Sequence, residues 1–93
     1  MNKKNEPNSS KFLNQIYKTL DASISETFDL ANFLKSNENY SEAINLYSNI
    51  LLEIDQTNNL YPEVLERRGM AYERRNKWKL GEKDLIESLR RKP

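Results

Sequence analysis

The chain has no cysteine and no histidine among its 93 residues. It therefore cannot form a disulfide, a thiolate nucleophile, an imidazole base or an ordinary zinc site, which removes most familiar catalytic constellations. Glycine and proline are scarce, at two and three residues. The prolines stand at positions 7, 62 and 93, so they punctuate the sequence without interrupting a periodic segment. Long apolar runs are missing too. The longest, Ile50-Leu51-Leu52, falls far short of the roughly 18 residues of a membrane-spanning helix. Met1 is followed by polar residues rather than a signal-peptide pattern, so the cytoplasm is the default compartment and no membrane partner is expected. Phosphate-cradling glycine loops and nucleophile motifs are absent. Carboxylate pairs such as Glu26 with Asp29, or Glu82 with Asp84, fall in polar stretches expected to be exposed, where nothing prepares them for acid–base work. The expectation is a protein with no enzymatic activity, no cofactor and no metal.

What is present fits one small domain, with 37% apolar and 31% charged residues. The net charge of +1 is unevenly spread. Residues 1–61 carry five Lys/Arg against eight Asp/Glu, a net −3, and residues 62–93 carry ten against six, a net +4. The balanced total argues against phosphate-driven nucleic-acid binding, although the C-terminal third is locally basic.

Apolar spacing predicts an all-helical chain. Residues 1–9 offer nothing to bury and read as a disordered lead-in. Phe12, Leu13, Ile16, Tyr17 and Leu20 make one helical stripe over 10–22, with Ser9 or Ser10 as N-cap. A second stripe, Ile24, Phe28, Leu30, Ala31, Phe33 and Leu34, ends at the turn residues 36–39. A third, Tyr40, Ala43, Ile44, Leu46, Tyr47, Ile50, Leu51 and Ile54, ends in the polar run 55–59. Pro62 suits the first turn of a fourth helix carrying Val64, Leu65, Gly69, Met70, Ala71 and Tyr72. Trp78, Leu80, Gly81, Leu85, Ile86 and Leu89 mark a fifth. No segment alternates with strand periodicity.

Shifting the sequence by 38 residues superposes Ala31 on Gly69, Leu34 on Tyr72, Tyr40 on Trp78, Ala43 on Gly81, Tyr47 on Leu85 and Leu51 on Leu89. In each unit two small residues lie twelve apart, as close packing of an antiparallel helical hairpin demands. On these residues the chain resembles the tetratricopeptide repeat (TPR) family, a helix-turn-helix unit of 34 residues. The first unit carries Leu30-Ala31, Leu34 and the run 39–44 followed by Tyr47. The second carries the run 68–72, Trp78, Gly81, Leu85, Ser88-Leu89 and Pro93. The resemblance implies an all-α, right-handed solenoid fragment of about five helices within a single domain spanning 10–93, with repeats at 24–57 and 62–93. Thr27, Gly81 and the stretched repeat depart from the family pattern, and the extra residues fall between Leu51 and Pro62.

The same resemblance implies a non-catalytic scaffold that binds a peptide or helix in the groove lined by the first helix of each repeat. The groove candidates are Phe28, Asn32, Lys35, Arg67, Met70 and Arg74, flanked by Ser25, Asp29, Ser36, Glu63, Glu66 and Glu73. Only Asn32 matches the carboxylate clamp of chaperone-binding members, because Phe28 and Arg67 stand at two other clamp positions. Phe28 and Met70 are expected to form an apolar floor, with Lys35, Arg67 and Arg74 pairing acidic groups of an acidic-apolar partner. The alternative is a basic helical RNA-associated domain using residues 67–79, where Arg67, Arg68, Arg74, Arg75, Lys77 and Lys79 interleave with Tyr72 and Trp78. Glutamates at helical spacings dilute that set, and a solvated face is the expectation. Tyr40, Tyr47, Tyr72 and Trp78 are expected to pack rather than to stack on bases. About three apolar residues of the last helix are expected against the preceding one, leaving its other side uncovered. That implies either a two-fold homodimer through the C-terminal hairpin or a piece of a longer array.

Overall fold

A computed structural model describes residues 23–92. Over that span the chain is all-helical, without strands, and its elements are α1 (Ile24–Ser36), α2 (Tyr40–Glu53), α3 (Leu60–Arg74) and α4 (Trp78–Arg91). The expected lead-in at 1–9 and the helix at 10–22 lie outside the described residues, so four of the five expected helices fall within them. Each helix packs on the next in chain order, and α1 also touches α3.

Local chemistry sets the ends of these helices. Ser23 Oγ accepts from the Glu26 backbone N–H at 3.1 Å, and Glu26 Oε1 accepts from the Ser23 N–H at 3.2 Å, a capping box that satisfies two donors at the start of α1. The two short turns are built alike and lie 38 residues apart. At the first, Asn39 N–H donates to Leu34 C=O at 2.8 Å and Glu38 N–H to Lys35 C=O at 3.0 Å. At the second, Lys77 N–H donates to Tyr72 C=O and Asn76 N–H to Glu73 C=O, both at 2.9 Å. These are Schellman closures. They require a left-handed residue, and Glu38 (φ 65°) and Asn76 (φ 61°) supply it without glycine.

The residues that stretch the sequence period form the loop 54–59, not extra helix: α2 and α4 are both 14 residues long. Asp55 accepts from both the backbone and the hydroxyl of Thr57 at 2.9 Å, and Asn58 Oδ1 accepts from Leu60 N–H at 2.8 Å. Local side-chain bonds thus close the loop and open α3. Pro62 sits third in α3, within the first turn, where an orphan N–H is not missed.

The two hairpins are held by different chemistry. Ala43, Leu46 and Ile50 of α2 are buried with Phe28, Ala31, Leu34, Tyr47 and Val64 in one apolar cluster. The α4 residues 38 positions on are Gly81, Asp84 and Ser88, and all three are buried as well. Where α2 buries hydrocarbon, α4 therefore buries a carboxylate bonded to Arg68 and a hydroxyl that donates to Pro62 C=O at 2.7 Å. Glycine allows the approach: a Cβ at Gly69 would lie 3.0 Å from Gly81 O, and one at Gly81 would lie 2.9 Å from Gly69 O.

This arrangement corrects three expectations. Trp78 is 61% exposed and does not pack like its half-buried counterpart Tyr40, the half-buried Tyr72 or the buried Tyr47. Asp84 is buried rather than exposed, because Arg68 reaches it from α3. Finally, α4 turns its small and polar residues to α3 with Leu85 beside Gly69, while its other apolar residues Trp78, Leu80, Ile86 and Leu89 stay exposed.

Candidate functional site

The six groove candidates meet along the seam between α1 and α3. Phe28, Asn32 and Lys35 come one turn apart on α1, and Arg67, Met70 and Arg74 do so on α3, the i, i+3 and i+4 spacing that puts side chains on one helix face. Phe28 lies deeper than a groove floor should. It is 9% exposed, packs against the Tyr47 ring at 6.0 Å, and is roofed by the Arg67 guanidinium at 5.8 Å from its centroid. Met70 is the exposed apolar member.

Arg74 repeats the device at the other end, its guanidinium 5.7 Å from the Tyr40 ring centroid. Aromatic faces attract guanidinium charge and restrict its rotamers, so both cations are pre-positioned. Glu63, one turn earlier on α3, has its Oε2 3.5 Å from Arg67 Nη2, a loose exposed pair. Lys35 lies near both arginines. Its pKa is lowered below the ordinary lysine value, first by partial burial and then by the positive charges of Arg67 and Arg74. The site thus gathers three mutually repelling cations.

Beneath them Tyr47 OH donates to Asn32 Oδ1 at 2.5 Å. Burial pushes the Tyr47 phenol up to about 12, against the opposing pull of Arg67, so it stays a donor and fixes the Asn32 amide. With its oxygen committed to Tyr47, Asn32 has its NH2 left to offer. Lys35, Ser36, Glu38, Tyr40, Met70, Glu73 and Arg74 line an open cleft of about 370 Å³ at the end of the seam.

The flanking candidates divide. Ser36 and Glu73 line the cleft, Ser25 and Asp29 are exposed on α1, and Glu66 instead pairs with Lys92 at 3.0 Å. Sequence reasoning missed Tyr40 and Tyr47 as parts of the site, having read both as packing alone. The repeat spacing that marks both rings as packing positions carries no separate signal of a site. The basic set 67–79 does not form one surface: Arg68 is turned inward to Asp84 and stacks on Tyr72 at 5.5 Å, while Arg75, Lys77 and Lys79 are exposed.

Fold and site together define the class as an all-α domain of sequentially packed helices with a cationic, aromatic-backed seam. No helix among the described residues is long and apolar enough to cross a membrane. Comparison with protein-family models, curated proteins and solved structures found no match to this chain.

Proposed function

We propose that the chain is a TPR-like interaction module, a non-catalytic fragment of a right-handed helical solenoid, that binds an acidic peptide or helix along the seam between α1 and α3. One observation carries the reading. Lys35 and Arg74 line the cleft, Arg67 lies further along the same seam, and both guanidinium groups lie over aromatic rings instead of in strong ion pairs. Like charges held together are unfavourable for folding, and the arrangement becomes favourable when a partner carboxylate neutralises them. Exposed Met70 beside Arg74 adds an apolar contact, so acidic residues interspersed with apolar ones suit the seam.

Fluorescence anisotropy with a labelled peptide alternating Asp/Glu with Leu/Phe, against its Lys-substituted counterpart, tests this. The acidic peptide should bind and weaken with salt. Arg67→Glu with Arg74→Glu should cost about tenfold or more in affinity. Glu42→Lys and Lys83→Glu, on α2 and α4, should leave it unchanged. Equal losses from both sets would move binding off the seam. Retention on RNA at about 150 mM salt would favour the basic-domain reading instead.

A further inference from the structure

The structure leaves an apolar side chain exposed on each of its outer helices: Trp78 (61%) and Leu89 (71%) on α4, Phe33 (63%) on α1. The inner α2–α3 contact tells what these faces are shaped for. There, α2 presents Tyr40, Ser48 and Leu51: Arg74 lies over Tyr40, Arg68 Nη1 donates to Ser48 Oγ at 3.0 Å, and Leu51 packs on the core cluster. The α4 residues 38 positions on are Trp78, Ile86 and Leu89, all exposed. On the other side of the contact, α3 presents Arg68, with buried Ala71 three residues on; their counterparts 38 positions back are Leu30, half-buried against the core, and exposed Phe33 of α1. The polar Ser48–Arg68 contact thus has as its outer counterpart an apolar pair, Ile86 with Leu30.

Charge selects between two ways of covering these faces. The hairpin half 23–59 carries one lysine against six carboxylates, a net −5, whereas 60–92 carries ten Lys/Arg against six carboxylates, a net +4. A two-fold dimer through α4 would bring two positive hairpins together. Contact between α4 of one copy and α1 of another joins opposite charges and opposite halves of the same helix–helix contact.

We infer that this chain associates head to tail, the α4 face of Trp78, Ile86 and Leu89 packing on the α1 face of Leu30 and Phe33 of a second copy, in the manner of the internal α2–α3 contact. The interface is heterologous, so each copy keeps one free end and assembly is open-ended.

Full-length chain supplies the test. Trp78 is the single tryptophan, so its emission should shift to the blue as concentration rises, in step with a growing mass distribution by sedimentation velocity. Raising salt from low to near-molar should weaken assembly by about tenfold. Two exposed positions block opposite ends: Phe33→Asp on α1 and Leu89→Asp on α4, with far-UV circular dichroism reporting that each stays helical. Either blocked chain alone should be a monomer, because the counterpart face is missing in every copy. An equimolar mixture should form a heterodimer through the two intact faces. If Leu89→Asp is monomeric while Phe33→Asp remains a dimer, the contact is two-fold through α4 and the inference is wrong. If the unmodified chain is a monomer at every concentration, residues 10–22 or another part of the same chain covers a face, and the inference is equally overturned. The wild-type measurements decide the matter even should a variant unfold.

Discussion

Arg68 of α3 and Asp84 of α4 form a two-bonded ion pair, Nε to Oδ2 at 2.7 Å and Nη2 to Oδ1 at 2.8 Å, and the same guanidinium donates to Ser48 of α2. One side chain thereby ties three helices together. Asp84 is almost fully buried and Arg68 mostly so, which makes removal of either partner costly: the other is left as an unpaired charge away from water. Arg68→Met or Asp84→Ala alone should each lower unfolding free energy by about 2–4 kcal/mol, and the double replacement should lose less than the sum of the two. Urea denaturation of the four chains measures this. Additive losses would mean that the pair contributes no coupling.

Gly81 presents a conflict between local and tertiary preference. Helix propensity favours alanine over glycine by about 1 kcal/mol, yet a Cβ there would lie 2.9 Å from both Gly69 O and Glu73 Cγ. Gly81→Ala should therefore destabilise the chain by about 1 kcal/mol or more despite the better propensity. Ala43, its fully buried counterpart, should behave likewise when enlarged, Ala43→Leu costing about 1–3 kcal/mol. Unchanged melting temperatures for both variants would contradict the packing described.

The two left-handed turn residues differ in how well they suit the conformation. Glu38 holds φ 65° with a side chain that disfavours it, whereas Asn76 at φ 61° is a residue type that visits this region more readily. Glu38→Gly should raise stability by about 0.5–1 kcal/mol, and Asn76→Gly by less. Calorimetry ranks the two. The reverse order would mean that side-chain contacts of Glu38 outweigh its backbone strain.

Lys35 sets stability against binding. Its pKa is lowered in the folded chain, so between that value and the ordinary 10.5 the unfolded chain holds more protons. Stability therefore rises with pH across the window, and the penalty is fully present below it. Lys35→Met should stabilise the chain at neutral pH by about 0.5 kcal/mol, an advantage that fades as pH approaches 10.5, while weakening the acidic peptide. A variant that is less stable at neutral pH would show that Lys35 has a favourable partner.

Much of the architecture was legible in the order of residues. Small and apolar side chains at 31, 34, 43, 46, 47 and 50 repeat with helical spacing, and every one of them is buried. The polar turn residues 36–39 placed the end of α1 in the sequence, whereas its start is set by the capping box at Ser23 and Glu26, which the sequence reading did not name. The gathering of Lys35 with Arg67 and Arg74 was expected from the resemblance to TPR repeats, and not from composition or spacing.

The second hairpin was not legible in this way. Its last helix has a strong apolar stripe, and periodicity alone would bury it. The stripe is exposed because Gly69 and Gly81 bring the α3 and α4 backbones together at the opposite face, where Asp84 meets Arg68 and Ser88 meets the Pro62 carbonyl. Sequence by itself determined which segments are helical and where they turn, since those preferences act within a turn or two of chain. Only the tertiary structure decided which face of α4 is inward. That choice depends on contacts between residues 16 and 26 positions apart, whose strength comes from being taken out of water together.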